Sequence, residues 1–573
     1  MPGLRPRPAG FGATPETASS PHARPLQDRS DRLLVATLVA ASLVAQWLWM
    51  DAGVGPYDEG LMLFGADRVL RGDVPYRDFW TLYGPAGFYV DALLFRVFGE
   101  FALVGRGFDA AVKAAIVGLA FAIVRRFGRA GLATAAALLV LGLLIYLRSY
   151  GVPVFPAVAA SLVAVLALDA VATRASRRAA ALAGVAVGSA LLFRHDLGAY
   201  AAVGSLVFIA FGALPARSAE TAAGDRRALF VRFAGGLLVV VAPVAVWLLA
   251  VVPLHDLAFS LVEVPLRVYP KVRALPFPSL ADAAAEFGTQ RSLGSLGPLV
   301  VYLPVVAVAI GVASEVSRLR DPAATAAAPA PSWVFQLLLL LDVLFFVKGL
   351  VRVSPVQMGA SLVLSTLVVA AAAARARGAG WRGLLLGIGA LAAAGLVAKP
   401  FVNAAERTAR AGGALLSDRW ISQAGSLCRD TGVPRLRCLR LDADRMTVAR
   451  YLLDHGSRGQ RVYFGVGRHD RILVGDVALY FASEAVAPTR WHDLHPGVQT
   501  TRQIQTEMIA ELDTKPVAFA VINTEWDDQQ EPNDSARSSG IRLLDDYLQR
   551  RFRPVLKAGT FTVLAPLQRA TMQ

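Results

Sequence analysis

Long apolar blocks leave this chain few ways to fold. They run over about 33–50, 104–125, 130–147, 154–172, 179–193, 197–214, 230–252, 297–313, 333–350, 354–374 and 383–398. Each is about 16–23 residues long, close to the roughly 20 that a helix needs to cross a hydrocarbon core. Short periodic stripes, the mark of a soluble core, are not the pattern here. Across 573 residues, 55% are hydrophobic and 18% charged, and the mean hydropathy is +0.49. The expected class is an α-helical polytopic membrane protein with about eleven transmembrane helices.

The net charge of +15 would suit a nucleic-acid partner only if the cations were gathered on one soluble face. Instead they sit in short connections. Arg125, Arg126 and Arg129 follow the second block, and Arg174, Arg177 and Arg178 the fourth. Arg217, Arg226, Arg227 and Arg232 surround the sixth-to-seventh connection; Arg318 and Arg320 follow the eighth, and Arg375, Arg377 and Arg382 the tenth. This is the positive-inside pattern. It excludes nucleic acid as the partner and sets the N-terminus in the cytoplasm. An odd number of spans then places the C-terminal part outside. Residues 1–32, rich in Pro, Ala and Arg, are expected to be a disordered cytoplasmic tail, with no apolar core for a cleaved signal.

From about 399 to 573 the composition changes. RVYFGV (461–466), AFAVIN (518–523) and FTVLAP (561–566) read as buried strands, and TTRQIQTEMIAELD and GIRLLDDYLQRRF as amphipathic helices. The expectation is a small extracytoplasmic α/β domain. The chain's two cysteines, Cys428 and Cys438, are too few for a zinc site of their own. They would pair if exported and stay reduced if cytosolic.

Between the first two blocks lies residues 51–103, the first outer loop. It carries Asp58, Glu59, Asp67, Asp73, Asp78 and Asp91 among aromatics and Pro/Gly turns. Acids pinned against a membrane are costly unless they have work to do. Two helices lying on the membrane surface are expected, one after Tyr57-Asp58-Glu59 and one over Gly87–Phe98, with Gly72-Asp73-Val74-Pro75-Tyr76 and Tyr83-Gly84-Pro85 as turns.

In these residues the loop resembles the GT-C superfamily, multi-span glycosyltransferases that use polyprenyl-phosphate sugars. The carrying elements are Asp58-Glu59-Gly60, Arg68, Gly72 to Tyr76, Asp78-Phe79 and Leu94 to Gly99. It is most similar to the glycosyltransferase family 39 type, which includes protein O-mannosyltransferases and aminoarabinose transferases. In motif the likeness covers residues 57–106; elsewhere in the membrane part it is one of layout. The Lys-Pro-Pro element of the aminoarabinose transferases is missing, and Tyr83-Gly84-Pro85 stands in its place. The resemblance implies an inverting transferase in residues 33–398, a polyprenyl-phosphate-linked sugar as donor, a glycan, lipid or protein as acceptor, membrane lipids as surroundings, and a bacterial inner membrane as location.

Displacing a lipid phosphate from a sugar needs a base at the acceptor hydroxyl and cations at the departing phosphate. Asp58 is the candidate base by its match to the superfamily's loop acid; the competing reading is a helix N-cap. Glu59 or Asp78 would orient it or help hold a divalent cation. Arg267, Tyr269, Lys271 and Arg273, in PLRVYPKVRALPFP, suit a lipid phosphate or an interfacial belt. Arg194-His195-Asp196, Lys348 and Arg352 complete the substrate-binding candidates. No phosphate-loop or His-Glu-x-x-His motif occurs. The rival function is a transporter or flippase of lipid-linked sugars, disfavoured because such proteins place polar groups at mid-membrane.

Overall fold

The computed structural model describes residues 29–48, 53–147, 149–174, 176–212, 219–281, 285, 299–320, 330–375, 431–437 and 439–567. Within them, helices overlie ten of the expected apolar blocks: α1 (Arg29–Leu48), α4 (Ala102–Val124), α5 (Ala130–Leu147), α6 (Val154–Arg174), α7 (Arg177–Phe193), α8 (His195–Phe211), α9 (Ala219–Val251), and the helices Leu303–Leu319, Ala330–Gly349 and Gly359–Arg375. The eleventh block, 383–398, lies outside the described residues, as do Cys428 and Cys438. Five helical stretches, Ala102–Val124, Ala130–Leu147, Val154–Arg174, Asp225–Val251 and Leu299–Leu319, are long and apolar enough to cross a membrane; His195–Phe211 and Gly359–Arg375 are shorter apolar helices. The chain is a multi-pass helical membrane protein.

Some boundaries differ from those expected, for local reasons. The helix expected over 297–313 runs 303–319, with Pro304 in its first turn, where a missing amide costs nothing. That expected from 354 begins at Gly359, because Ser354–Met358 is taken up by a turn closed by Met358 N–H to Ser354 O at 3.0 Å. The spans also hold more charge than expected. Asp342 is fully buried within Ala330–Gly349 and accepts hydrogen bonds from Ser365 Oγ at 2.8 Å and Ser361 Oγ at 3.4 Å. Lys113 pairs with Asp109 at 2.6 Å inside α4.

The first outer loop forms α2 (Asp58–Leu70) and α3 (Pro85–Phe98). Helix α3 keeps Leu93, Val97 and Phe98 exposed, but α2 is not a simple surface helix with one wet face. Ten residues of α2, Glu59 to Arg68, are buried, because the C-terminal domain covers the face turned away from the membrane helices. That domain is a four-stranded sheet in the order β1-β2-β4-β3, with β1 (Val462–Val466) parallel to β2 (Phe519–Asn523), and β4 (Phe561–Pro566) antiparallel to both β2 and β3 (Phe552–Ala558). Strand β3 was not expected: the consecutive exposed residues Arg553 to Val555, with Pro554 among them, disguise it.

Loop and domain share one core. Leu61, Leu63, Phe64, Ala92 and Phe95 pack with Val433, Leu436, Leu452, Tyr480 and Phe481, and Phe64 stacks on Tyr480 with ring centroids 4.5 Å apart. Backbone bonds cross the seam: Val54 N–H to Arg440 O at 2.9 Å, Trp80 N–H to Arg490 O at 3.0 Å, and Val477 and Ala478 N–H to Pro56 O. Gly60 explains part of the Asp-Glu-Gly motif. A Cβ there would stand 2.4 Å from Ala478 N, so only glycine lets α2 come this close to the domain.

Candidate active site

Asp58 opens α2 at a point where its carboxylate is free for other work. The helix N-cap is Tyr57, which makes no side-chain capping bond, so Asp58 is not the cap that the competing reading required. Its Oδ1 accepts a hydrogen bond from Tyr83 Oη at 2.9 Å. Tyr83 is held from behind: its carbonyl accepts from Tyr76 Oη at 2.6 Å. Tyr76 is fully buried and sits at φ +72°, a conformation that costs about 1–3 kcal/mol and persists only where the surroundings enforce it. Gly72, at φ +96°, turns the chain out of α2 into this loop.

Burial pushes the Asp58 carboxyl above its ordinary range, against the downward pull of the Tyr83 hydrogen bond and of Arg273, Arg194 and Arg352. These three cations come from separate connections between membrane helices, and with Asp58 they form one cluster. Arg194 caps α8 and forks onto Asp196 at 3.0 and 2.6 Å, with its guanidinium 5.5 Å from the centre of the Tyr83 ring. Lys348 lies close enough to act on both Arg194 and Asp196. His195 sits beside them with its Nδ1 buried and without a hydrogen-bond partner among the described residues.

Helix α10 (Leu254–Ala258) widens into a π-helix over Phe259–Val268, where Pro265 interrupts the amide ladder, and ends in α11 (Tyr269–Val272). The wide turn sorts the basic segment into two faces. Tyr269 and Arg273 turn inward, and Tyr269 packs on His495 with centroids 5.8 Å apart. Arg267 and Lys271 remain on the exposed side, away from Asp58. Arg273 is 7% exposed, and its guanidinium has no hydrogen-bond or ion-pair partner among the described residues. Arg352 holds the segment from the other side, donating to Arg273 O at 2.9 Å and forking onto Glu531 at 2.7 and 2.6 Å.

The other two expected acids lie elsewhere. Glu59 turns about 100° around the helix from Asp58, as consecutive helical residues must. It is 4% exposed and clamped by Arg106 at 2.5 and 2.9 Å and by Gly55 N–H at 2.8 Å. Asp78 closes its own turn, accepting from Val74 N–H and Arg77 Nη2, both at 2.7 Å. Neither stands with Asp58. Among the described residues, no three His, Cys, Asp or Glu converge on a metal position.

The C-terminal domain supplies side chains that the sequence reading did not single out. Asp493 is 2% exposed, and its Oδ1 accepts from Tyr57 Oη at 2.8 Å. Burial carries its carboxyl up to about 7, with Arg273 pulling down and Asp58 pushing up. His495 donates from Nδ1 to Pro496 O at 2.8 Å, and burial together with the nearby Arg273 lowers it to about 3, so it is neutral. Gln499 ties the loop, donating to Asp493 O and accepting from His495 N–H. A signal existed: WHDLHPG (491–497) packs two of the chain's seven histidines into four residues.

The site is thus a cleft between α2, the ends of α7 and α11, the 349–358 turn and the 491–499 loop. It offers one carboxylate of raised basicity, a hydroxyl on each of Tyr57, Tyr83 and Tyr269, and a concentration of cations unsuited to anything but an anion.

No family model and no curated protein matches the chain. Among solved structures it is similar to ArnT from Cupriavidus metallidurans bound to undecaprenyl phosphate, at 16% identity and a TM-score of 0.49 over 93% of this chain and 98% of that one. It is similar also to the apo state of ArnT, at 16% identity and a TM-score of 0.48 over 94% and 98%.

Proposed function

We propose that the protein transfers a sugar from a polyprenyl monophosphate to an acceptor hydroxyl on the outer side of the membrane. The observation that carries this reading is that Asp58, from the outer loop, lies within electrostatic reach of Arg273, from the segment before residue 299, whose buried guanidinium has no partner among the described residues. The acceptor oxygen attacks the anomeric carbon as its proton passes to Asp58. The carbon–oxygen bond to phosphate breaks, and its electron pair leaves with the phosphate. A buried carboxylate above its ordinary range is a better proton acceptor than an exposed one, and a positioned base is worth about 10²–10⁴-fold. Arg273 meets the negative charge that grows on the departing phosphate, with Arg352, Arg194 and Lys348 around it. Tyr83 fixes the Asp58 rotamer.

The basic connections on the opposite side support a cytoplasmic N-terminus, which puts this cleft in the periplasm or outside the cell. An inverting course, a bacterial inner membrane and the choice among glycan, lipid and protein acceptors belong to the same proposal. The test is Asp58→Asn in purified, folded full-length protein, assayed with polyprenyl-phosphate hexoses and membrane acceptors. Transfer should fall at least 100-fold while lipid binding persists; near-normal turnover would remove Asp58 as base.

One observation favours the flippase reading, the buried Asp342 within a membrane helix. Loss of lipid flipping in Asp342→Asn vesicles, with no transferase activity in the wild type, would decide for it.

A further inference from the structure

Two tyrosine–aspartate pairs lie within electrostatic reach of Arg273. Tyr83 donates to Asp58 at 2.9 Å, and Tyr57 donates to Asp493 at 2.8 Å. Tyr57 and Asp58 are consecutive, so the first outer loop serves both pairs. Arg273 acts on both carboxyls, and they act on each other. Asp58 already has its role in the proposed reaction; Asp493 has none. Yet its second oxygen, on a side chain 2% exposed, has no partner among the described residues. The loop that presents it is also braced in place: Gln499 bonds both the Asp493 carbonyl and the His495 amide. Flexible packing does not explain it.

We infer that Asp493 is a positioning residue whose free oxygen hydrogen-bonds a hydroxyl of the donor sugar, so that the sugar sits between the two aspartates with its phosphate on Arg273. This rests on the transferase reading. The donor sugar is chosen over the acceptor because Asp493 shares Arg273, the group assigned to the phosphate, and the donor sugar is the one bonded directly to it. The C-terminal domain then supplies part of the substrate site and is more than a cover. Sugar choice would be written in the 491–499 loop, while the membrane half reads lipid and phosphate.

The test compares full-length wild type, Asp493→Ala and Asp493→Asn in detergent micelles. Binding is measured for a polyprenyl monophosphate and for the same lipid carrying glucose or mannose, with turnover of the sugar-bearing lipid recorded in the same series. Wild type should prefer at least one sugar-bearing lipid. Asp493→Ala should lose about tenfold of that preference, the worth of one hydrogen bond, while binding the bare lipid within threefold of wild type. Asp493→Asn, which keeps the Tyr57 bond and can still bond a hydroxyl, should restore most of it. A merely structural role would weaken both lipids alike in Asp493→Ala, and that result overturns the inference. So does a preference untouched by the alanine, or a wild type with no preference. If the alanine variant does not fold, Asp493→Ser, too short to reach the sugar, takes its place. Intact preference lost in the alanine variant, without turnover in wild type, supports Asp493 and sinks the transferase. Turnover without preference sinks Asp493 alone.

Discussion

Replacing Arg273 with alanine should do opposite things to binding and to stability. The guanidinium is 7% exposed and, among the described residues, has no partner within hydrogen-bond or ion-pair distance. A buried cation without a partner costs free energy in the folded state. Arg273→Ala should therefore leave the unfolding temperature unchanged or raise it. Lipid phosphate is another matter. Two charge-assisted bonds at about 1.5–3 kcal/mol each set a ceiling of roughly 6 kcal/mol. Arg352 and Lys348 would take over part of the phosphate, so the loss should be about 2–3 kcal/mol, or about 30–150-fold in Kd. Arg273→Lys keeps the charge but not the planar fork, and should fall between. The pH dependence supplies a third reading. Arg273 lowers both Asp58 and Asp493; without it each carboxyl rises further, and the acidic limb of kcat/KM should move to higher pH. The assays are a thermal melt, titration with polyprenyl monophosphate, and a pH profile. An Arg273→Ala protein that melts several degrees lower and binds the lipid as before would refute the argument, since that is how a structural arginine behaves.

Two further outcomes separate scaffold from site. Glu59→Gln leaves Arg106, 1% exposed, without its counter-charge; breaking a buried pair costs about 3–5 kcal/mol, so the melt should drop sharply while turnover per folded molecule stays near wild type, and a fully stable but inactive variant would return Glu59 to the catalytic group. For Asp493, the folded carboxyl stands at about 7 against 3.8 for the free side chain. A raised acid contributes stability below the unfolded value and loses it as pH rises through the folded one. Asp493→Asn should therefore gain on wild type between about pH 4 and pH 7, by at most about 4 kcal/mol, and a melting difference that is flat from pH 5 to pH 8 would contradict this.

The adjacent acids mark where the sequence could have been read further. Consecutive residues of a helix point about 100° apart, so Asp58 and Glu59 were never able to serve one atom together; the helix start visible at Tyr57 already implied that one of them works elsewhere. Which one turns inward depended on Arg106, 47 residues away, and no local pattern carries that. Asp493 and Glu531 were hidden for the same reason. Their partners, Tyr57 and Arg352, lie 436 and 179 residues distant, and only the packing of the C-terminal domain onto α2 brings them together. Apolar periodicity could give that domain its strands, but not the face it presents.

The basic segment shows the limit most sharply. Arg267 and Lys271 are four apart, and so are Tyr269 and Arg273. On a regular helix each pair would form a stripe, and the two stripes would face different ways. Hydropathy prefers neither, since each mixes charge with an apolar body. The structure resolves the tie through the widened turn over Phe259–Val268, which carries Pro265, and through the backbone of the 349–358 turn, where Val353 N–H bonds Leu275 O at 3.0 Å and Arg352 bonds Arg273 O. These contacts fix the rotation of α11 from below. With that rotation set, Arg273 must enter the cleft and Lys271 must leave it. The carboxylate side of the site thus depends on the first outer loop together with Arg106, whereas its cationic side is decided by how two distant turns lock one short helix in place.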